Sequence, residues 1–539
     1  MREILGLVVA AGLSLCCARW TPALAARLLR PFSRLGRRRG LAVAGVGLAA
    51  GLMSMGISLV RMPAPHIHDE FSYLLAADTF AHGRITNATH PMWQHFESFH
   101  ILQQPTYTSK YPPGQGMILA LGQALTGYPA AGLWIGTALA AAAVCWMLQG
   151  YAPGRWALLG GALMALSPSI QLVWGQAYWG GDVALIGGAL VYGGVPRLVA
   201  RPRVGAALIT GLGLAVLANS RPFEGLCASA PAAIALLVWL LGRRRPTLAV
   251  AAAKVVLPIV GVLAVAAAGM AYHNLRTTGD PLTMPYIVYE RTYGMGPVFL
   301  WDPPRPQPRY RHPIMEKYYA GWAMGTYRMQ LGPWNLLKVK GSQILGLWRF
   351  FLGPTLTVPL LALPWVLKKR RNLLAAACVA TTLAGLLGAC WIHPHYFAPA
   401  VPALFLLVVQ GMRYVAQWRW RGRPVGRPLV FGLVVVYAVV FIAAAGHHFK
   451  NAELTGERMA RTLESIGRQP GKHLVVVRYG PDHNLHDEWV YNAADIDAAK
   501  VVLARDMSPQ ENDELLRYFA DRRVWLLQAD AYRVQAYRR

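Results

Sequence analysis

The chain is expected to be a polytopic α-helical membrane protein carrying a small α/β domain at its C-terminal end. Three observations predict this. Hydrophobic residues make up 55% of the 539 and charged residues 14%, whereas a soluble globular domain is about 25% charged. Apolar runs of bilayer-spanning length recur between residues 41 and 446. After residue 446 the pattern changes to short strand-like runs alternating with helical stretches, which implies a mostly parallel sheet. The chain divides on this reading into residues 1–40, an apolar segment and basic linker; 41–446, the membrane region; and 447–539, the small domain.

Residues 4–18 are apolar but short for a span, leaving an extra span or an interfacial helix open. A basic linker follows, with Arg19, Arg27, Arg30, Arg34, Arg37, Arg38 and Arg39. The first confident span is 41–60. Further spans are expected near 130–149, 155–173, 182–199, 204–219, 225–241, 247–271, 344–366, 373–391, 397–412 and 428–446, giving eleven, or twelve with the N-terminal segment. If sides alternate, the links RLVARPR, GRRRP, KKRR and RYVAQWRWRGRPVGR fall on one side. The positive-inside rule makes that side cytoplasmic. The acidic, aromatic and histidine-bearing loops, and the tail, then lie outside.

Outer loops 61–129 and 273–343 are too long for simple turns. Loop 61–129 is expected to hold a helix at 70–82 and an amphipathic segment at 114–126. In the tail, HLVVVRY, KVVLARD and RVWLLQ read as strands. Ser508, Pro509 and Glu511 have the spacing of a capping box. No Gly-rich phosphate loop is present there, so nucleotide binding is not expected. The net charge of +28 is accounted for by the basic links, and no basic stripe with interleaved aromatics points to nucleic acid. The six cysteines lie in or at the ends of apolar segments and read as packing residues.

The chemistry is expected where HIHDEFSYLLAADTFAHG, residues 66–83, places Asp69 and Glu70 directly after the first span. A carboxylate at the bilayer surface meets both a lipid-borne and a polar substrate. Partial desolvation is expected to raise its pKa and suit it to take a proton from an acceptor hydroxyl or amine. A solvated helix start, where acids favour the dipole, is the alternative. Lys110, ahead of Tyr111, Pro112 and Pro113, is placed to meet a phosphate or a carboxylate, or to snorkel. Arg221 and Glu224 sit at an outer helix end, as a phosphate clamp or as an internal ion pair. His393, His395 and Tyr396 stand at another, as phosphate partners or an interfacial aromatic belt. Arg276, Tyr286, Tyr289, Arg291 and Tyr293 are candidates to cover the chamber and contact sugar. His66, His68, Asp69 and Glu70, with His90, His95 and His100, leave a divalent cation open as cofactor, although the spacing matches neither HExxH nor a zinc finger.

DEFSYLLAADTF and SKYPPGQG, an acidic pair after the first span and a return through Lys–Tyr–Pro–Pro, resemble the C-type (GT-C) glycosyltransferases. The resemblance is in particular to the bacterial branch of protein O-mannosyltransferases and aminoarabinose transferases, across roughly 41–446. It implies a multi-pass inner-membrane enzyme that moves a sugar from a polyprenyl-phosphate donor to an extracytoplasmic glycan, lipid or protein acceptor, usually with inversion. It implies Asp69 as base, with Glu70 beside it. Lys110, Arg221, His393, His395 and Tyr396 would bind the donor phosphate, and Tyr111, Glu97, Glu224 and Arg291 would contact acceptor or sugar. The family's acidic–Lys pair reads Ser109–Lys110 here, leaving Glu70 or Glu97 to supply the absent carboxylate. A lipid-linked-oligosaccharide polymerase or ligase is the near alternative. A flippase is a more distant one, expected to show internal repeats and broken midplane helices.

Overall fold

The computed structural model describes residues 22–243, 245–450 and 455–537. The N-terminal apolar segment 4–18 lies outside the described residues. Helices of eight or more residues are numbered in order. α1 (Pro22–Arg37) and α2 (Arg39–Val60) meet at a bend, and α3 (His68–Ala81) follows after a short extended link. Next come α4 (Pro113–Thr126), α5 (Ala130–Leu148), α6 (Gly154–Ala165), α7 (Asp182–Ala200), α8 (Val204–Ala218), α9 (Pro222–Leu241) and α10 (Leu257–Thr278). α11 (Pro285–Thr292), α12 (Pro333–Phe351), α13 (Gly353–Leu360), α14 (Arg370–Gly388), α15 (Val401–Val415) and α16 (Gly426–Lys450) complete the membrane region.

Among the described residues, nine helical segments are long and apolar enough to cross a membrane: Arg39–Val60, Ala130–Leu148, Gly154–Gln176, Asp182–Ala200, Pro222–Leu241, Leu248–Thr278, Arg370–Gly388, Ala398–Val415 and Gly426–Lys450. α8, expected as a span at 204–219, is a shorter apolar helix. The stretch expected as one span at 344–366 is divided. α12 ends at Phe351, Gly353 takes φ +54°, and α13 and a short helix at Leu363–Leu367 follow. Pro354, Pro359 and Pro364 remove backbone donors along this stretch, which is why the helix does not run through. The central packing joins α2, α5, α6, α7 and α15, and α15 is buried along most of its length. Long outward-facing apolar side chains such as Leu48, Leu52 and Val265 stay exposed at the perimeter, as expected where lipid is the solvent.

The tail is an α/β unit. α17 (Thr455–Gly467) and α18 (Pro509–Tyr518) pack with a sheet of β3 (His473–Arg478), β4 (Val501–Arg505), β5 (Arg523–Gln528) and β6 (Arg533–Ala536), after the small hairpin β1 (Ile101–Leu102) and β2 (Thr108–Ser109) earlier in the chain. The order is β4-β3-β5-β6, with β3 parallel to both neighbours and β6 antiparallel at the edge. Val475, Val476 and Leu527 bury its two faces, which explains the continuous apolar runs. Ser508 and Glu511 form the expected capping box at the start of α18.

The tail domain sits on the end of the bundle that carries α3. Phe71 stacks on Tyr491 with centroids 4.0 Å apart. His68 Nδ1 lies 3.0 Å from the Tyr491 hydroxyl, and the Ala494 amide donates to Asp78 at 2.8 Å. Arg505, buried against Glu488 at 2.6 Å, also donates through Nε to the Glu97 carbonyl.

Candidate active site

Three local devices bring distant segments together at the start of α3. The β1–β2 hairpin pairs Ile101 with Ser109, so His100 and the Lys110–Tyr111 pair leave it side by side. Ser72 on α3 donates to the His100 carbonyl at 2.6 Å and meets Ser109 at 2.7 Å. His100 itself takes φ +62°, a left-handed conformation uncommon outside glycine. The third device is Gly114, whose amide donates to the Asn219 carbonyl at 2.8 Å. A Cβ there would lie 2.7 Å from that oxygen, so only glycine lets the Lys110 segment approach Arg221 this closely.

Asp69 stands at the centre. Its Oδ1 accepts a hydrogen bond from the Tyr111 hydroxyl, and its Oδ2 lies 3.7 Å from His100 Nε2. The side chain keeps 23% of its exposure, so the carboxylate remains partly open to a ligand. Burial alone would raise this carboxyl, but His100, the Tyr111 hydrogen bond, His395 and Lys110 outweigh it and hold it below the usual carboxylate range. The expected upward shift is therefore corrected. Desolvation is real, yet donors and cations around the group win. Burial pushes His100 and His395 down.

Glu70 has a different place. Its side chain is buried and accepts from the backbone amides of Tyr178 at 2.9 Å, His66 at 2.9 Å and Ile67 at 3.2 Å, with His66 Nδ1 at 3.2 Å. Those bonds cap α3 and pin the loop that precedes α7. The same loop carries Trp179, whose ring packs 4.9 Å from that of His395. Glu70 thus holds one wall of the chamber through its backbone contacts.

The carboxylate that meets Lys110 is Glu290 on α11. Lys110 Nζ lies 3.2 Å from Glu290 Oε1, with the rings of Tyr289 and Tyr286 at 4.6 and 5.0 Å. Neither Glu70 nor Glu97 takes that role. Glu97 accepts from Tyr293 at 2.8 Å and Arg311 at 3.2 Å and meets His312 at 3.3 Å. It anchors the 273–343 segment and contacts nothing in the Asp69 chamber. Sequence reading missed Glu290 because nothing local marks it: 180 positions separate it from Lys110.

Arg221 lies over the Tyr396 ring at 4.7 Å. No described carboxylate is within ion-pair distance, so the internal Arg221–Glu224 pair is not formed. Burial would lower the guanidinium, but Tyr73, Glu224, Tyr396 and Tyr111 raise it and it stays charged. Glu224 opens α9 and acts on Arg221 only through its field. His393 and His395 stack in parallel at 5.7 Å, and Tyr396 meets both edge-on. Arg291 is exposed on α11 and its charge reaches Asp280, so it is not brought to the chamber. Among the described residues no group of three or more His, Cys, Asp or Glu is arranged to hold a metal. Two of the histidines considered for one have other partners: His90 pairs with Asp497 at 3.2 Å, and His95 lies 3.0 Å from the Arg505 carbonyl.

No family model matches the chain, and no curated protein matches it. Among solved structures it is similar to the Archaeoglobus fulgidus oligosaccharyltransferase tethered with an acceptor peptide containing the NVT sequon, at 13% identity and a TM-score of 0.49, over 87% of this chain and 64% of that one. The chain thus spans less than two thirds of that enzyme's length. It is also similar to ArnT from Cupriavidus metallidurans in the apo state, at 13% identity and a TM-score of 0.48, over 91% of this chain and 89% of that one. ArnT bound to undecaprenyl phosphate gives 13% identity and 0.45, over 88% and 87%. Overlaps of this size fix neither substrate nor residue role, so the chemistry is read from the chamber itself.

Proposed function

We propose that the chain is a membrane glycosyltransferase that moves a sugar from a polyprenyl-phosphate donor to an acceptor on the outer side of a bacterial inner membrane. One observation carries the reading. A charged guanidinium without a described ion-pair partner, Arg221, and an ionised and partly open carboxylate, Asp69, both act on Tyr396 near the ends of apolar helices. A lipid phosphate fits the first and an acceptor hydroxyl or amine fits the second. The buried indole N–H of Trp179, beside His395, makes no hydrogen bond within the described residues and is a donor available to a sugar hydroxyl.

In this scheme the acceptor O–H or N–H donates to Asp69 Oδ2, and its lone pair attacks the anomeric carbon from the face opposite the phosphate. The bond from anomeric carbon to phosphate oxygen breaks, the new glycosidic bond forms with inversion, and the acceptor proton passes to Asp69. Arg221 and Lys110 hold the departing phosphate charge. Asp69 is a weak base in the empty chamber. A bound phosphate offsets the cations that depress it, so donor binding itself increases its proton affinity.

The test is Asp69→Asn in the purified full chain. Transfer from a labelled polyprenyl-phosphate sugar should fall by roughly 10²–10⁴-fold, the usual contribution of general-base catalysis, while the thermal melt and lipid binding persist. Unchanged turnover removes Asp69 from the chemistry.

A further inference from the structure

The opposite end of the bundle carries a second feature. α2 runs for 22 residues, roughly 33 Å at 1.5 Å per residue, from Arg39 to the segment that leads into Asp69. At the Arg39 end, a cavity of about 420 Å³ opens between α2, α5 and α7. Arg39, Gln149 and Arg197 give it a polar side, and Val43, Ala44 and Trp146 an apolar one. Arg197 stacks over the Trp146 ring at 4.0 Å while donating to the Gly193 and Trp146 carbonyls at 2.6 and 2.7 Å. Its charge is thereby held in place without being neutralised. Gln149 donates to the Arg39 carbonyl at 3.0 Å and fixes the start of α2. The Arg39 side chain is exposed and forms no ion pair with a described residue.

The surroundings reinforce this. No Asp or Glu occurs between Glu3 and Asp69, nor in the links 149–154, 201–203, 242–247, 368–370 and 416–425. The positive-inside rule asks for Lys and Arg and is nearly indifferent to Asp and Glu, so topology alone does not account for their exclusion. α1 lies against the same end. Gly36 packs backbone to backbone on Gly154, where a Cβ on Gly154 would sit 1.9 Å from the Gly36 carbonyl oxygen. That contact sets α1, with Arg30, Arg34 and Arg37, against the start of α6.

We infer that the Arg39–Trp146–Arg197 cavity is a binding site for an anionic glycerophospholipid of the leaflet on the basic side, its phosphate between the two guanidiniums and an acyl chain along Val43, Ala44 and Trp146. Two like charges facing one cavity without a nearby acid call for an anion. The adjoining apolar wall calls for a lipid one. This site is separate from the proposed chemistry and does not depend on it.

The test uses the full chain in phosphatidylcholine vesicles doped with a photoactivatable phosphatidylglycerol, with adducts mapped by mass spectrometry. Adducts should concentrate at residues 39–44 and 146–149. Excess phosphatidylglycerol should compete them away, and excess phosphatidylcholine should not. Arg39→Gln should reduce them about fivefold, the worth of one basic residue near an anionic surface, and Arg39→Lys should restore them. Equal labelling by a zwitterionic probe would overturn the site. Competition by polyprenyl phosphate alone, or adducts unaffected by Arg39→Gln, would overturn it as well. The competition arm needs no variant, so it stands even if Arg39→Gln folds poorly.

Discussion

The two ends of the helix bundle handle positive charge in opposite ways. At the Asp69 end, several cations are met by carboxylates: Lys110 by Glu290, Arg311 by Glu97 and Arg505 by Glu488. Arg221 has no ion-pair partner among the described residues and stacks on Tyr396. At the Arg39 end the links hold basic residues and no acids. The first arrangement fixes a polar network in one geometry with a single charge in reserve for a ligand. The second is an uncompensated face, fit for an anionic surface and unsuited to holding a precise constellation. A polar network costs desolvation unless every member is paired, which is why acids are needed at one end only.

Removing one member of the network should break that contrast most visibly. Arg505 and Glu488 have side chains 3% and 0% exposed. Glu488→Gln leaves the guanidinium without its counter-charge, and a thermal or urea melt should report a loss of about 3–5 kcal/mol. A smaller effect is expected at the reserved charge. Arg221→Ala should weaken polyprenyl-phosphate binding about tenfold to a hundredfold, the worth of one or two charge-assisted hydrogen bonds, with the melt little changed. Binding unaffected by this variant would give the phosphate to Lys110.

Glu70→Gln sharpens the distinction between the adjacent acids. It removes charge from a carboxylate that accepts three backbone amides, and should lower stability by about 1–2 kcal/mol, as the loss of a good helix cap does. The lipid affinity should stay. A catalytic loss as deep as that of Asp69→Asn, without the loss of stability, would move the chemistry to Glu70.

How much of this was legible in the sequence follows the range of each signal. Apolar runs and strand patterns are local, so nine of the eleven expected spans, the mostly parallel sheet and the Ser508 cap could be read directly. Proximity of Asp69, Lys110, Arg221 and the His393–Tyr396 turn followed from side alternation, which places helix ends without naming contacts. The partners were not legible. Glu290 reaches Lys110 from a short helix with no motif, and His100 owes its place to a left-handed backbone that only the hairpin closure requires. The direction of the Asp69 shift failed for the same reason: a sequence gives burial near a membrane but not the donors that oppose it.

The smallest expected effect is on pH. Burial holds His100 and His395 well below their usual value and brings His68 down to about 4. The unfolded chain therefore binds more protons below about pH 6.5, and stability rises with pH through that window. His66, raised by its hydrogen bond to Glu70, opposes with the reverse sign. The melting temperature should fall by a few degrees on acidifying from about pH 7.5 to about pH 5. His100→Asn should flatten part of that slope.

The contrast between the two ends has meaning only if a membrane lies between them. Asp482 in the tail and Arg419 in a basic link are both exposed, and each can be replaced by cysteine and challenged with an impermeant maleimide on intact cells, with the unsubstituted chain as blank. Asp482→Cys should label at once and Arg419→Cys only after permeabilisation. Labelling of Arg419→Cys from outside, with Asp482→Cys protected, would contradict the placement of the chamber and everything drawn from it.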